Sequence, residues 1–169
     1  MMAIGDKLDL DFEVGLVRDG SKIKTVLSLS LDGPTVVSVY MRNNTGSCDK
    51  QMLSLNEAYP ALKKLGVNLL GVSKDTAGSH LKYADRHKIQ FPLVSDSEHH
   101  FAKAVDSLIE KKMYGRTFWG PQRAAYLIDE KGLLLGICEN VDPSRHGEQV
   151  KSLLKVLDTR DSDPEPLAG

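Results

Sequence analysis

Cysteine is scarce in this chain: 169 residues carry two, Cys48 and Cys138, far apart in the sequence. They form no CxxC pair and no Cys/His cluster at zinc spacing, so a structural zinc site and a paired-thiol motif are both excluded. No excess of either charge is present, because 22 Lys and Arg face 23 Asp and Glu. Such a balance gives no field to gather nucleic acid or an anionic membrane surface, and neither is expected as a partner. Long hydrophobic runs are missing too. Stretches such as Leu133-Leu134-Leu135 are far too short to cross a bilayer. The N-terminus has no basic segment followed by an apolar one, so no secretory signal is read and a cytoplasmic protein is expected. No P-loop or dinucleotide glycine pattern occurs. The five histidines show no ligand spacing and are expected on the surface, so neither metal nor cofactor is predicted.

What is present is a chain long enough to bury one core, with strand-like and helix-like segments in alternation. Residues 11–29 read as a hairpin turning at Asp19-Gly20. Thr35-Val36-Val37-Ser38-Val39-Tyr40 is a β-branched run that reads as a buried central strand. Helical spacing follows through Met52, Leu55, Ala58, Leu62 and Leu65, with Pro60 expected to kink or break that helix and Gly66 to close it. Residues 67–72 read as a second buried strand, 79–87 as a helix, 91–94 as a short edge strand and 98–106 as a helix. Residues 111–122 read as irregular and glycine-rich. The stretches 124–128 and 133–138 read as a hairpin, and 146–157 as a last amphipathic helix. One domain is expected over residues 1–157, an α/β fold with a mixed sheet, helices on both faces and an N-terminal β-hairpin. A polar tail at 158–169 is expected to be disordered.

The junction before Cys48 carries the chemistry. A strand ends at Tyr40, a polar loop runs through Thr45-Gly46-Ser47, and a helix starts at or beside the cysteine. Unpaired amides and the positive end of the helix dipole favour an anion at such a place, and a thiolate is the reactive form of a thiol. Thr45 can aim its hydroxyl at the sulfur or at a substrate oxygen, while Asp49 adds an opposing charge next door. The plain alternative is that Cys48 is a small buried packing residue. Spacing alone leaves both readings open.

Several stretches bear on the choice: Ile4-Gly5-Asp6-Lys7-Leu8, Thr45-Gly46-Ser47-Cys48, residues 58–67 from Ala58-Tyr59-Pro60 to Gly66-Val67, and Leu70-Gly71-Val72-Ser73-Lys74-Asp75. Phe91-Pro92-Leu93-Val94-Ser95-Asp96, Lys112-Met113-Tyr114-Gly115-Arg116-Thr117 and Arg123-Ala124-Ala125-Tyr126-Leu127-Ile128-Asp129 continue the series. In this order and spacing, residues 4–156 resemble the peroxiredoxin Q or bacterioferritin-comigratory subfamily of the AhpC/TSA superfamily. The resemblance implies a thioredoxin-like fold and a thiol-dependent peroxidase. Cys48 would then attack a hydroperoxide and become a sulfenic acid, with Thr45 orienting the peroxide. Arg123 would hold the thiolate and polarise the O–O bond, a task suited to a permanently charged fork of donors. Without the resemblance, Arg123 reads as a solvated residue beside a strand. Tyr40, Met41 and Ser47 are expected in the substrate pocket.

This chain departs from the family pattern in three ways. Met41 stands where the family has a proline that shields the thiolate, and Gly46-Ser47 replaces a Pro-Gly before the cysteine. The position five after Cys48, where many members carry a resolving cysteine, is Leu53. Cys138 lies in an apolar strand and reads as inert core or, less favourably, as a resolving thiol. The cycle is therefore expected to use one cysteine, recycled by thioredoxin, glutaredoxin or a small thiol, in a monomer or homodimer. The competing reading is a weakened relative serving as redox sensor or binding module, kept open by the altered loop. A disulfide exchanger is disfavoured, because Thr45 occupies the place of the first cysteine of CxxC.

Overall fold

A computed structural model describes residues 2–162. Its centre is a seven-stranded mixed sheet in the order β2-β1-β5-β4-β3-β8-β9. The strands are β1 (Glu13–Arg18), β2 (Ser21–Val26), β3 (Thr35–Val39), β4 (Asn68–Ser73), β5 (Leu93–Ser95), β8 (Ala124–Ile128) and β9 (Leu134–Cys138). β6 (Leu108–Met113) and β7 (Arg116–Pro121) form a separate two-stranded ribbon. The helices are α1 (Gly46–Lys64), α2 (Ala77–His87), α3 (His100–Ala104), α4 (His146–Leu153) and α5 (Lys155–Ser162).

Alternation along the central strands builds two cores, one on each face. Val37 and Val39 of β3, Leu70 and Val72 of β4, and Ala124, Tyr126 and Ile128 of β8 face one cluster, closed by Phe101 of α3 and the N-terminal Leu8 and Leu10. Val36, Leu69, Ala125 and Leu127 face the other, closed by α1, α2 and α4. A period of two with both phases apolar is what a strand covered on both faces requires.

α1 presents Cys48, Met52, Leu55, Ala58 and Leu62 to that second cluster. Of the expected kink or break, the break does not occur: α1 runs through Pro60 to Lys64. Burying Met52, Leu55 and Leu62 contributes roughly 2 kcal/mol each, together more than the about 3 kcal/mol a proline costs inside a helix. Gly66, at φ 75°, ends it as read: the Gly66 amide donates to Lys63 and the Val67 amide to Leu62, a Schellman closure.

Other boundaries moved for physical reasons. β5 is not an edge strand but lies between β1 and β4. Pro92, which suggested an edge, precedes the strand, and its carbonyl accepts from Gly71. Residues 108–121 form the β6–β7 hairpin rather than irregular chain, turning at Tyr114 and Gly115, both left-handed at φ 53° and 76°. Most of β7 is exposed, so no buried face imposed the alternation that announces a strand. The last helix breaks at Leu154, and α5 carries helical structure to Ser162, into the segment expected to be disordered; residues 163–169 lie outside the described part.

α4 packs against α1 with almost no clearance at Gly147. Its amide donates to Ser54 Oγ at 2.8 Å, and a Cβ there would meet the Ser54 carbonyl oxygen at 2.6 Å. Gly147→Ala is expected to destabilise the fold by about 1–3 kcal/mol, the usual cost of overpacking, read as a lowered urea midpoint at unchanged slope.

Candidate active site

β3 delivers the chain to the site. Past Tyr40 it leaves the sheet, Asn44 takes a left-handed turn at φ 61°, and Thr45 becomes the N-cap of α1. The first helical hydrogen bond runs from the Asp49 amide to the Thr45 carbonyl at 2.8 Å. Cys48 is therefore the third helical residue, beside amides that have no partner within the helix, and no side chain caps that end. Thr45 Oγ1 donates instead to the Arg42 carbonyl at 3.1 Å, which leaves its oxygen lone pairs as acceptors.

A buried polar network fixes the loop. Asn43 donates its amide to Asp75 Oδ2 (2.9 Å) and its Nδ2 to His80 Nδ1 (3.1 Å), and accepts from Tyr40 Oη (2.6 Å). His80 Nε2 in turn donates to the Val94 carbonyl at 3.0 Å. Burial holds the Tyr40 phenol well above its ordinary range, so it is a neutral donor at working pH. Tyr40 packs in the same cluster as Cys48 but is fully buried and is not part of the open cavity wall expected for it. Asp49 is occupied by Tyr83, whose hydroxyl donates to Oδ1 at 2.7 Å.

The cationic group comes from the neighbouring strand. β8 runs antiparallel to β3 with Val39 opposite Ala124, which sets Arg123 beside the strand end that feeds the loop. Its Nη2 donates to Cys48 Sγ at 3.3 Å and to Ser47 Oγ at 3.0 Å. Cys48, Thr45, Ser47 and Arg123 thus meet at one helix end. Cys48 as a residue is 1% exposed, and its sulfur touches the guanidinium.

Thr45 also lines a cavity of about 440 Å³ together with Met41, walled by Phe118, Trp119 and Lys111 of the β6–β7 hairpin; Cys48, Ser47 and Arg123 are not among its lining residues. Phe118 and Trp119 rim the cavity. Lys111 was not foreseen. Its Nζ donates to Met41 Sδ at 2.8 Å, and burial, then the charges of Arg123 and Lys74, lower its proton affinity. Nothing in its stretch of sequence separates it from a surface lysine. Cys138 is half-buried on the edge strand β9 opposite Ala125, packed against the same apolar cluster as Cys48, and burial pushes its thiol up.

A family profile described as AhpC/TSA matches residues 4–136. The chain belongs to the AhpC/TSA family of peroxiredoxins. It is similar to Peroxiredoxin Bcp of Xanthomonas campestris pv. campestris, 31% identical over 142 residues that cover 77% of this chain and 89% of that protein. A mutant of Xylella fastidiosa PrxQ superposes with a TM-score of 0.82 at 30% identity, covering 94% of this chain and 98% of the other. A structure of the Xanthomonas campestris bacterioferritin comigratory protein, described for its alkyl peroxide reduction activity, gives 0.79 at 27% identity over 89% and 96%. This peroxiredoxin therefore has the thioredoxin-like fold that the resemblance implied, and it is a thiol-dependent peroxidase.

Two histidines read as surface residues are fully buried in this peroxiredoxin. His80 sits in the loop network, and His146 Nε2 accepts from Ser38 Oγ at 2.9 Å while Nδ1 donates to Gln149 Oε1 at 3.0 Å. Their single occurrences gave no period that would mark them as inward-facing. Burial lowers the proton affinity of both; Asp75 opposes it at His80, and Arg123 adds to it at His146. The unfolded chain then binds more protons below its ordinary histidine value of 6.5, so this stability is present above pH 6.5 and is lost as the pH falls through it. Urea midpoints measured across that range are expected to drop on the acid side, with a limiting slope near 1.4 kcal/mol per pH unit for each histidine. His80→Gln is expected to flatten the fall.

Proposed function

We propose that Cys48 is the peroxidatic cysteine and that Thr45 and Arg123 are its partners in the reduction of hydroperoxides. The observation that carries this reading is the Arg123 guanidinium at 3.3 Å from a cysteine sulfur in the first turn of a helix. The thiolate attacks the terminal oxygen of R–O–OH. An S–O bond forms, the O–O bond breaks, and the released alkoxide takes a proton to leave as alcohol, or as water from hydrogen peroxide. Arg123 faces the sulfur and the oxygens on which charge develops, and Thr45 Oγ accepts from the peroxide hydroxyl. A second thiol then attacks the sulfenic acid, expelling water and forming a mixed disulfide that a further thiol reduces.

The cavity beside Thr45 supports organic hydroperoxides as well as hydrogen peroxide. Met41, Phe118, Trp119 and Pro121 give it an apolar wall, and Arg42, Lys74 and Lys111 give it positive charge, which favours substrates with an anionic group. For recycling, the position of Cys138 on β9 and its burial support a one-cysteine cycle with thioredoxin, glutaredoxin or a small thiol as reductant. The balanced charge supports a protein without nucleic-acid or membrane partners, and we propose that it works in the cytoplasm as a monomer or homodimer. Among the described residues no helix is long and apolar enough to cross a membrane.

The burial of Cys48 favours a second reading, a low-turnover redox sensor on the same fold. Peroxide consumption with dithiothreitol as reductant separates the two, because a sensor reacts once and a peroxidase turns over. The intact mass after one equivalent of peroxide then reports the intermediate. Gain of one oxygen indicates the sulfenic acid, loss of two hydrogens an internal disulfide, and a doubled mass a linked dimer. No turnover together with no sulfenic-acid labelling at Cys48 would overturn the enzymatic reading.

A further inference from the structure

We propose that Met41 is a second oxidation site, converted to its sulfoxide by hydroperoxide bound in the cavity beside Thr45, with Lys111 as the proton donor. Three observations carry it. Met41 is half-buried and lines the cavity, so a peroxide there meets its thioether. Lys111 Nζ lies 2.8 Å from Met41 Sδ. An ammonium has three protons, so one on sulfur leaves two for a bound oxygen, and a thioether keeps a second lone pair for attack. The remaining lining residues bring further positive charge, Arg42 and Lys74, and no carboxylate that would pair with Lys111 across the cavity.

The step balances without a further reactant. A sulfur lone pair attacks the terminal oxygen of R–O–OH, forming an S–O bond as the O–O bond breaks. Lys111 gives a proton to the departing R–O oxygen, which leaves as alcohol. The proton on the transferred oxygen returns to Lys111, leaving a sulfoxide. Sulfur loses two electrons and the peroxide gains them. The sulfoxide oxygen then accepts from the same ammonium, a stronger bond than the thioether made. The lowered proton affinity of Lys111, from burial and from Arg123 and Lys74, makes it a readier donor than an exposed lysine. Oxidation would turn an apolar part of the cavity wall polar while leaving Cys48 untouched.

The proposal rests on the reading that hydroperoxides enter this cavity, yet its test is independent of turnover. The full-length Cys48→Ser protein, which cannot spend peroxide on the thiolate, is treated with cumene hydroperoxide and digested with trypsin. The peptide from Thr25 to Arg42 contains Met41 as its one methionine, so its gain of an oxygen reads this site directly. The references in the same molecule are half-buried Met2, away from the cavity, and fully buried Met52. Met41 is expected to oxidise at least about tenfold faster than Met2, an advantage below that of a well-positioned proton donor. Adding Lys111→Gln is expected to bring Met41 to the Met2 rate, while Lys111→Arg keeps part of the advantage. Equal rates at Met41 and Met2 in the Cys48→Ser protein would overturn the proposal whether or not the lysine variants fold. So would an unchanged ratio in folded Cys48→Ser/Lys111→Gln. Loss of peroxidase turnover in the protein that retains Cys48 would instead count against the enzymatic reading, so the two failures are distinct.

Discussion

Cys48→Ser is expected to lower the steady-state rate of hydroperoxide reduction by about a thousandfold or more, as removal of a covalent nucleophile does. Serine preserves the size of the side chain and its contact with Arg123, so the fold should hold. What disappears is a polarizable sulfur able to form the S–O bond. The informative partner is Cys138→Ser. Cys138 stands on the edge strand β9, half-buried, with burial keeping its thiol protonated. Its loss is expected to leave turnover with dithiothreitol at the wild-type rate. Full activity with dithiothreitol but none with thioredoxin would make Cys138 the resolving thiol and end the one-cysteine cycle. Substantial turnover by Cys48→Ser would remove Cys48 from the reaction.

Arg123→Ala is expected to reduce kcat/KM for peroxide by about a hundred- to a thousandfold, the range seen when a preorganised donor to developing charge is removed. The guanidinium spans Cys48 Sγ and Ser47 Oγ, so it both faces the sulfur and anchors itself to the helix end. Arg123→Lys should recover only part of the loss, because an ammonium is a point charge on a flexible stem and does not reproduce the planar fork. Stopped-flow peroxide reduction, with the urea midpoint as a check on folding, reads both variants. An alanine variant that stayed folded and reduced peroxide at the wild-type rate would separate Arg123 from the chemistry.

The legible parts of the fold were those where a local pattern carried the cause. β3 is apolar in both phases and sits in the middle of the sheet. Asp19-Gly20 supplies the left-handed pair that a tight hairpin needs, and Gly66 closes α1. Local reasoning failed where the cause was distant. Pro60 did not end α1, because the buried face of that helix outweighs one missing amide. β5 became an interior strand because β1 pairs onto its free side. The β6–β7 ribbon left no alternation to read because it stands off the core.

The site divides the same way. Thr45 and Cys48 are neighbours in sequence at a strand-to-helix junction, so their proximity could be read from the chain. Arg123 entered only through family resemblance. Its place beside the sulfur follows from the antiparallel register of β3 and β8, which no spacing reveals. Asn43 carried no signal and His80 read as a surface residue, because their importance is a buried network closed between α2, β5 and the loop. Lys111 was passed over because its hairpin folds across the site from a stretch with no strand pattern of its own.

By itself, then, the sequence determined a two-faced α/β domain and a thiol at the start of a helix, since period, turn residues and helix ends act over a few neighbouring positions. Tertiary structure alone decided which cation meets that thiol, which lysine touches Met41 and how far the sulfur is closed from solvent. Those outcomes depend on strand register and on packing between segments far apart in the chain, and burial sets their electrostatics only after the whole sheet has assembled.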